Sequence, residues 1–422
     1  MTEAPTPPPP AEPGQTPDEE PLGLAARLNV WHRAGGIAVP LLTTIFAFFM
    51  GGLVVLAISH KDPLNTYREI FNGAGLNWLV SFCSSSGTAT ATACTASGNL
   101  QQTLIQFTVL VLTGLAVAFA FRCGMFNIGG QGQYIVGTVA AVWVGTSLSG
   151  LPSWLHVLLC IFAATFAGAV WGGIAGFLKA TVGAHEVITT IMLNWIALWV
   201  ATYLIGFGGP LQDPAGGAAP VTRPIDAGAQ LPIIWDVDLN GGLHLPQGLH
   251  MGLFLALGAL VVYWLVLGRT TLGYEVRAVG FNSEAARYGG ISVSKSFFLA
   301  MAISGAFAGL AGSMDILGWQ YRLDITSVQT YSQIAFIGIA VALLGRNTAV
   351  GIFFAAMLFA ALKTGTSTRN LDPTVFKPEL ANNLTQLIQG LVVLFVGADV
   401  LILYLWTKGK KLRLQPRRES PL

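Results

Sequence analysis

The sequence predicts an all-α integral membrane protein, a polytopic bundle of about ten transmembrane helices. Of its 422 residues, 53% are hydrophobic and only 10% are charged, whereas a soluble domain carries about 25% charged residues. Apolar runs of bilayer-spanning length also recur along the chain, and most of the charges lie between them. A soluble core of this size could not bury so much apolar surface, so the bilayer is the expected solvent.

Composition divides the chain into a membrane domain, predicted over residues 23–406, and two cytoplasmic tails. Residues 1–22 are rich in Pro, Glu and Asp and are predicted to be disordered, and residues 407–422 are basic. Only Gly345-Arg346-Asn347 part the eighth predicted span from the ninth, which predicts a tight hairpin or broken helices there. The spans cover roughly 36–59, 103–121, 131–148, 153–178, 188–207, 249–267, 296–318, 331–345, 348–363 and 385–406.

The distribution of Lys and Arg predicts that both termini face the cytoplasm. In this orientation the basic residues on the inner side outnumber those on the outer side roughly two to one. The loops at about 60–102 and 208–248 are then extracytoplasmic, and the loop at about 269–295 is cytoplasmic. Cys83 and Cys94 lie in the first outer loop, where a disulfide and two free thiols are both open alternatives.

Two predicted spans carry glycines at the spacing of one helical turn. Such stripes allow two helices to approach closely, so they predict packing and not chemistry. They are equally typical of transporters and channels. The stripes are Gly168, Gly172 and Gly176 in the fourth span, and Gly305, Gly309 and Gly312 in the seventh.

The sequence contains no enzymatic motif. It has no G-x-x-x-x-G-K-[ST] phosphate-binding loop, no G-x-S-x-G nucleophile elbow and no metal-ligand spacing of His or Cys. His185-Glu186 resemble the start of a zinc-protease helix, but Thr189 stands where the second His ligand is required. We therefore expect no catalytic residue, metal or cofactor, and the net charge of +2 gives no reason to expect nucleic acid.

Amide side chains cluster where the chain enters the third and fifth predicted spans. Amides at membrane depth are costly unless they line a cavity or bond to other helices. We predict that these amides border a substrate pathway, and hydrogen bonding between helices is the alternative. Phe126 and Trp195 lie beside them and could stack on a solute or simply pack. The amides are Asn127, Gln131 and Gln133 in the motif FNIGGQGQ, and Asn194 further along.

The cytoplasmic segment 273–295 mixes apolar and charged residues and has helical propensity. Gly280 and Asn282 predict a break in this helix, and Gly289-Gly290 predict its end. A short amphipathic helix on the inner face needs a partner for its apolar side. That partner is either the membrane surface or a groove on a soluble protein.

At this segment the sequence resembles the EAA loop of ABC-importer permeases, because Glu284-Ala285-Ala286 are followed by three residues and Gly290. The Leu-Pro that often follows in that signature is missing. With GMFNIGGQGQ, AHEVITTIMLN and GFNSEAARYGGI, the chain is similar to the branched-chain amino acid/ribose-type superfamily of permeases. The stretch HEVITTIMLN points to its nucleoside branch. The resemblance covers about 36–406.

This resemblance implies a subunit without its own ATP site that translocates a nucleoside, such as guanosine or another purine nucleoside, by alternating access. It implies a bacterial cell membrane shared with a second homologous permease (making a heterodimer), ABC ATPase subunits and an extracytoplasmic substrate-binding lipoprotein. A sugar such as ribose, or another small polar solute, is the alternative substrate. The residues that resemble the ATPase-coupling element are Gly280, Asn282, Glu284, Ala285, Ala286 and Gly290.

A self-sufficient secondary transporter or channel is the alternative function class. Such a protein should place ionisable residues inside its spans. Asp315 and Asp399 are the main candidates, and no Lys or Arg lies well inside a predicted span to pair with them. A requirement of uptake for ATP separates the two classes.

Overall fold

The computed structural model describes residues 44–53, 55–57, 62–79, 91–217, 219–235, 238–239, 243–244 and 248–367, with isolated positions between 383 and 394. Both predicted tails, Cys83, Asp399 and most of the tenth predicted span lie outside these residues. The described helices, in chain order, are α1 (Thr44–Ala57), α2 (Pro63–Gly73), α3 (Ala91–Arg122), α4 (Gly130–Ser147), α5 (Ser153–Val182), α6 (Glu186–Ile205), α7 (Gly252–Arg269), α8 (Thr271–Phe281), α9 (Ser283–Tyr288), α10 (Val293–Asp315), α11 (Ile325–Thr330), α12 (Ser332–Leu344) and α13 (Ala349–Gly365).

Within the described ranges, five helices are long and apolar enough to cross a membrane. They are Ala96–Arg122, Ser153–Val182, Glu186–Ile205, Gly252–Arg269 and Val293–Gln320, and α1 and α13 are shorter apolar helices. The predicted helical membrane architecture is therefore confirmed. Helix α3 lies at the centre, because 83% of its apolar window is buried and it packs against α7, α10, α12 and α13.

The two predicted glycine stripes pack against each other, as α5 crosses α10. The buried face of α5 repeats every fourth residue through Cys160, Ala164, Gly168, Gly172 and Gly176. A Cβ atom on Gly168 would overlap the carbonyl oxygen of Gly305, and one on Gly305 would overlap that of Gly168. The prediction of close packing is confirmed, since the two backbones touch where these glycines meet.

The opposite face of α5 carries the large apolar side chains that a bilayer requires. Trp154, Leu158, Phe162 and Phe166 are all exposed on this face, and α6 and α7 expose similar residues. In water such a surface would be an aggregation hazard, whereas lipid solvates it. The division into a small-residue face and a bulky face explains how α5 serves protein and lipid packing together.

The turn between α12 and α13 confirms the predicted tight hairpin. Arg346 and Asn347 have positive φ angles of 49° and 53°, a conformation that Asn tolerates better than most residues. Helix α12 covers the eighth predicted span (331–345) without a break, and the short helix α11 ends just before it at Thr330.

The segment between α6 and α7 contains short strands that sequence analysis did not predict. Strands β1 (Ile233–Trp235) and β4 (Leu249–His250) pair antiparallel, as do β2 (Asp238–Leu239) and β3 (Leu243–His244). A 3-10 turn at Ala227–Ala229 precedes them, and another at Leu76–Leu79 follows α2.

Two of the four cysteines are described as buried thiols. Cys123 and Cys160 are buried and free, so they act as packing residues. Cys94 lies within α3, so this helix begins earlier than the predicted span. Because Cys83 lies outside the described residues, its pairing with Cys94 stays a prediction.

Candidate functional site

Helix α4 begins abruptly inside the Gly-rich motif, and its exposed backbone groups are satisfied by a neighbouring helix. Its N-cap, Gly129, supplies no side-chain hydrogen bond. Asn194 of α6 fills that role. Its Oδ1 accepts from the Gly132 N–H at 2.8 Å, and its Nδ2 donates to the Ile128 carbonyl at 2.9 Å. The amide of Asn194 therefore holds a broken helix start against α6.

Asn127 and Gln133 form a reciprocal amide pair across the start of α4. The Asn127 Nδ2 donates to Gln133 Oε1 at 2.8 Å, and Gln133 Nε2 donates to Asn127 Oδ1 at 3.1 Å. The same Asn127 Nδ2 also donates to Ser304 Oγ of α10 at 2.7 Å, and Ser304 Oγ donates to the Ala116 carbonyl of α3 at 2.5 Å. Both amides are fully buried, so the chain itself uses most of their hydrogen-bonding capacity.

The remaining predicted pathway residues differ in their surroundings. Gln131 is half-buried, and its side chain has no hydrogen bond within the described part of the chain. Phe126 packs edge-on against Phe121, with ring centroids 4.9 Å apart. Trp195 is 55% exposed on an outer face of α6 that also exposes Trp199. The structure thus brings Asn127, Gln133 and Asn194 together around one helix start, and it leaves Trp195 on the outer face.

The segment that was predicted to be cytoplasmic forms two short helices. Helix α8 ends at Phe281, and Asn282 caps α9 by accepting at Oδ1 from the N–H groups of Glu284 and Ala285, both at 3.0 Å. Gly290 follows the end of α9 and has a φ of 81°, a backbone conformation that favours glycine. The break at Asn282 and the end at Gly289-Gly290 are confirmed. We call residues 271–290 the coupling element.

The coupling element turns an unexpected set of side chains outward. Glu284 and Ala285 are exposed, but Ala286 is only 6% exposed and packs against its own chain. Phe281 and Tyr288 flank α9 and are 92% and 94% exposed. These two aromatics were not predicted as functional residues, although two large aromatic side chains on either side of Glu284-Ala285-Ala286 indicate an exposed interaction surface.

The coupling element contacts the end of α3 and the segment that leads from α3 to the amide pair. A Cβ atom on Gly280 would overlap the Arg122 carbonyl oxygen at the end of α3, and a Cβ on Gly124 would lie 3.2 Å from the Gly280 Cα. Arg122 in turn donates from Nε and Nη2 to the Asn347 carbonyl, at 3.0 and 2.8 Å, and Tyr263 Oη donates to the same oxygen at 2.8 Å. The ends of α3, α7 and α8 and the α12–α13 turn therefore meet in one place.

A salt bridge joins α5 to α6 at the start of α6. Lys179 Nζ lies 2.9 Å from Glu186 Oε2, and Glu186 sits in the first turn of α6, where its charge also suits the helix dipole. The N-cap itself is His185, whose side chain makes no capping bond. Glu186 thus acts as an ion-pair partner within the first turn.

A second polar cluster, at the other end of α10, was not predicted. Tyr134 Oη donates to Asp315 Oδ2 at 2.5 Å, Gln320 Nε2 donates to the same oxygen at 3.0 Å, and Tyr331 Oη donates to Gln320 Oε1 at 2.8 Å. Lys363 Nζ donates to Gln106 Oε1 at 2.9 Å, and it interacts electrostatically with Asp315. Lys363 of α13 is therefore a basic residue in the vicinity of Asp315, although the two side chains make no direct ion pair. We call these six residues the polar layer.

Comparison with known proteins shows that the chain matches a family of transport permeases. The family described as branched-chain amino acid transport system permease components matches residues 99–397. The guanosine ABC transporter permease protein NupP of Bacillus subtilis is 37% identical, covering 90% of this chain and 98% of the relative. The nucleoside ABC transporter permease protein NupB of Lactococcus lactis is 32% identical, covering 89% and 95%. No solved structure matches the chain.

Other relatives bear on substrate and assembly. The glucose ABC transporter permease protein TsgB13 of Haloferax volcanii is 33% identical, covering 85% of this chain and 86% of the relative. The paired names NupP with NupQ, and NupB with NupC, indicate that such transporters use more than one permease subunit.

Proposed function

This chain belongs to the family of branched-chain amino acid transport system permease components, and from that premise we propose that it is the membrane-spanning permease subunit of an ATP-binding-cassette importer for nucleosides. The observation that carries the proposal is the similarity, over 90% of the chain, to a permease named for guanosine. A permease subunit performs no chemistry on its solute. The work of transport therefore comes from partner subunits.

For the topology, we infer about ten transmembrane helices with both termini in the cytoplasm of a bacterial cell. Contacts among Arg122, Gly280 and Asn347 place the end of α3 and the α12–α13 turn on the same side as the coupling element, which supports this orientation. That side also carries Lys179, Arg269 and Arg277, as the positive-inside rule requires of a cytoplasmic face.

The coupling element is proposed to dock into an ABC ATPase subunit. Phe281 and Tyr288 project from it almost fully exposed, beside the exposed Glu284 and Ala285. Two isolated aromatic side chains on a polar surface are the typical anchors of a protein interface. The buried Ala286 has a different role, which is to seat α9 on its own chain.

Movement of the docked element has a direct route to the amide cluster. Gly280 contacts the backbone of Arg122 and Gly124, and the chain continues from Gly124 to Asn127 within one short segment. Because backbone atoms touch without a side chain between them, a shift of α8 displaces that segment and the start of α4 with it. This contact is the proposed mechanical link between ATP hydrolysis and the substrate pathway.

The substrate pathway is proposed to run beside the start of α4. Asn127, Gln133 and Asn194 hold the wall of this pathway through the hydrogen bonds described above. Gln131 is the amide that remains free to meet a solute, because it is half-buried and its side chain has no partner in the described residues. Stacking by Phe126 or Trp195 stays a prediction.

A complete transporter would contain a second homologous permease in a heterodimer, ATPase subunits and an extracytoplasmic substrate-binding lipoprotein. The paired names of the relatives support the second permease. A sugar substrate is the alternative, since one relative is named for glucose. A secondary transporter is the other alternative, and Asp315 with Lys363 would be its ionisable pair.

The substrate class is tested by uptake of labelled guanosine in cells that lack this chain and in cells that regain it. We expect uptake to depend on the chain and to be blocked by excess unlabelled nucleosides but not by ribose or glucose. Inhibition by the sugars alone would replace the nucleoside proposal with the sugar alternative.

A further inference from the structure

The polar layer lies at the end of α10 opposite the coupling element, and neither the proposed coupling route nor the amide cluster uses it. Its six side chains come from α3, α4, the end of α10 and the turn that follows it, the junction between α11 and α12, and α13. A π-helical turn at Ile316–Gln320 follows α10 and carries Gln320 toward Asp315. Turns of this kind inside a helix are frequent at functional sites. The members of the layer are Gln106, Tyr134, Asp315, Gln320, Tyr331 and Lys363.

Asp315 keeps one carboxylate oxygen available for a donor that the chain does not provide. Its Oδ2 accepts from both Tyr134 and Gln320, whereas its Oδ1 accepts no hydrogen bond from any described residue. The side chain is only 5% exposed. A carboxylate removed from bulk water is stabilised by hydrogen bonds to both oxygens, so Oδ1 is a position prepared for a donor.

Lys363 and Gln106 offer the opposite chemistry beside it. Lys363 Nζ uses one of its N–H donors on Gln106 Oε1, and Gln106 Nε2 has no partner in the described part of the chain. Gln106, Gln320 and Lys363 are all half-buried, so none of these three side chains is fully enclosed by protein. Donors from α3 and α13 therefore accompany the free acceptor of Asp315 within the polar layer.

The two charges of the layer do not close onto each other. Lys363 and Asp315 act on each other electrostatically, yet they make no direct ion pair. Opposite charges within a membrane normally pair, because each is costly to leave uncompensated there. Because the charged groups of Asp315 and Lys363 do not pair directly, each needs water or a polar solute as a hydrogen-bond partner.

We propose that the gap between Asp315 and Lys363 is where the transported nucleoside is recognised during translocation. Asp315 Oδ1 accepts from adjacent hydrogen-bond donors on the solute, and Lys363 and Gln106 donate to its acceptors. A nucleoside has two groups with adjacent donors: the N1–H and amino group of guanine, and the vicinal hydroxyls of ribose. This inference deepens the proposed function and depends on it.

The test uses the complete transporter, reconstituted with its partner permease, ATPases and binding protein. Asp315→Asn keeps the volume of the side chain but replaces an acceptor with a donor. Uptake of labelled guanosine, adenosine and 2′,3′-dideoxyguanosine is measured for the variant relative to wild type. Ser313→Ala is the matched control, since Ser313 on the same helix bonds only to the Leu310 carbonyl, and it should transport all three normally.

We expect Asp315→Asn to lower guanosine uptake about tenfold or more, because hydrogen bonds to a charged group correspond to at least one decade in affinity. Binding-protein-stimulated ATP hydrolysis should persist. If the base is recognised, adenosine escapes the loss; if the ribose is recognised, dideoxyguanosine escapes it. Equal loss for all three solutes, or no loss for any, overturns the site.

Lys363→Met, which keeps the length of the side chain, serves if the Asp315→Asn complex does not assemble. It should also lower guanosine uptake about tenfold while stimulated ATP hydrolysis persists. Normal guanosine uptake by assembled Lys363→Met transporter overturns the site and leaves the permease assignment intact. Failure of the wild-type transporter to carry any nucleoside overturns the proposed function instead.

Discussion

Gly124 and Gly280 meet backbone to backbone, although 156 positions separate them (280 − 124). A Cβ atom on Gly124 would lie 3.2 Å from the Gly280 Cα. The contact joins the coupling element to the segment that starts α4, with no side chain between them to absorb movement. Gly280 is required by this close approach, and Gly124 is favoured in addition by its positive φ of 72°.

Gly280→Ala tests this contact, because the added methyl group would overlap the Arg122 carbonyl oxygen. We expect at least about a tenfold drop in coupled nucleoside uptake, since a forced backbone shift at a well-packed contact costs about 1–3 kcal/mol. Gly268→Ala is the control, because Gly268 also lies in a helix near the coupling element but has open space at its Cβ. Equal uptake by both variants would remove the contact from the coupling route.

Phe281 and Tyr288 should anchor the ATPase. The double variant Phe281→Ala/Tyr288→Ala is expected to fold normally, since both side chains are almost fully exposed. Its ATPase affinity should fall by about 1,000-fold, because each of the two anchor residues contributes about 2 kcal/mol. Co-purification and a titration of the ATPase in detergent measure the change.

Tyr203→Ala supplies the control for the anchor variant. Tyr203 is 72% exposed, but it lies near the end of α6 that points away from the coupling element. Loss of ATPase affinity in this control as well would show that removing any exposed aromatic weakens the complex.

Asn194 and Gln131 should separate folding from transport. Asn194→Leu leaves the Gly132 N–H and the Ile128 carbonyl without their partner, at a cost of about 1–3 kcal/mol for each buried group. We expect a lower thermal midpoint in detergent. Gln131→Leu should keep the wild-type midpoint and lower uptake instead. An unstable Gln131→Leu with a stable Asn194→Leu would reverse these assignments.

His250 should make stability depend on pH. It lies in β4, ahead of the first residue of α7, and burial lowers its pKa from 6.5 to about 4. Its Nδ1 accepts from the Gly252 N–H at 3.1 Å, and a Cβ atom on Gly318 would overlap its ring. The unfolded chain binds the proton more readily, so the free energy of unfolding falls as pH drops from about 6.5 to about 4, by about 3 kcal/mol.

His250→Asn is the variant that isolates this effect, since Asn offers an acceptor to the same N–H and does not titrate. Thermal midpoints at pH 7.5 and pH 5 are compared for both proteins. We expect wild type to lose stability at pH 5 and the variant to lose less. The same loss in both would assign the pH dependence to other groups.

The sequence predicted features that local patterns control. Apolar runs predicted the helices, the glycine stripes predicted close helix packing, and Gly280 with Asn282 predicted the break in the coupling element. Each of these depends on residues close together in the chain; that the two stripes pack against each other was seen only in the structure.

Contacts between distant residues were not predictable in this way. Tyr134 lies 181 positions from Asp315, and Lys363 lies 257 positions from Gln106. No local pattern specifies such pairs. The burial of Ala286 was not predicted for a related reason. On a helix as short as α9, the contacts with the rest of the chain determine which residues are buried, and periodicity does not.

The central claim is that outside ATP hydrolysis drives nucleoside import through this chain. The most direct measurement is accumulation of labelled guanosine in liposomes, by the chain alone and by the full assembly with partner permease, ATPases and binding protein. We expect accumulation by the full assembly with ATP, and none by the lone chain under a proton or sodium gradient. Accumulation by the lone chain under either gradient would contradict the account and establish a secondary transporter.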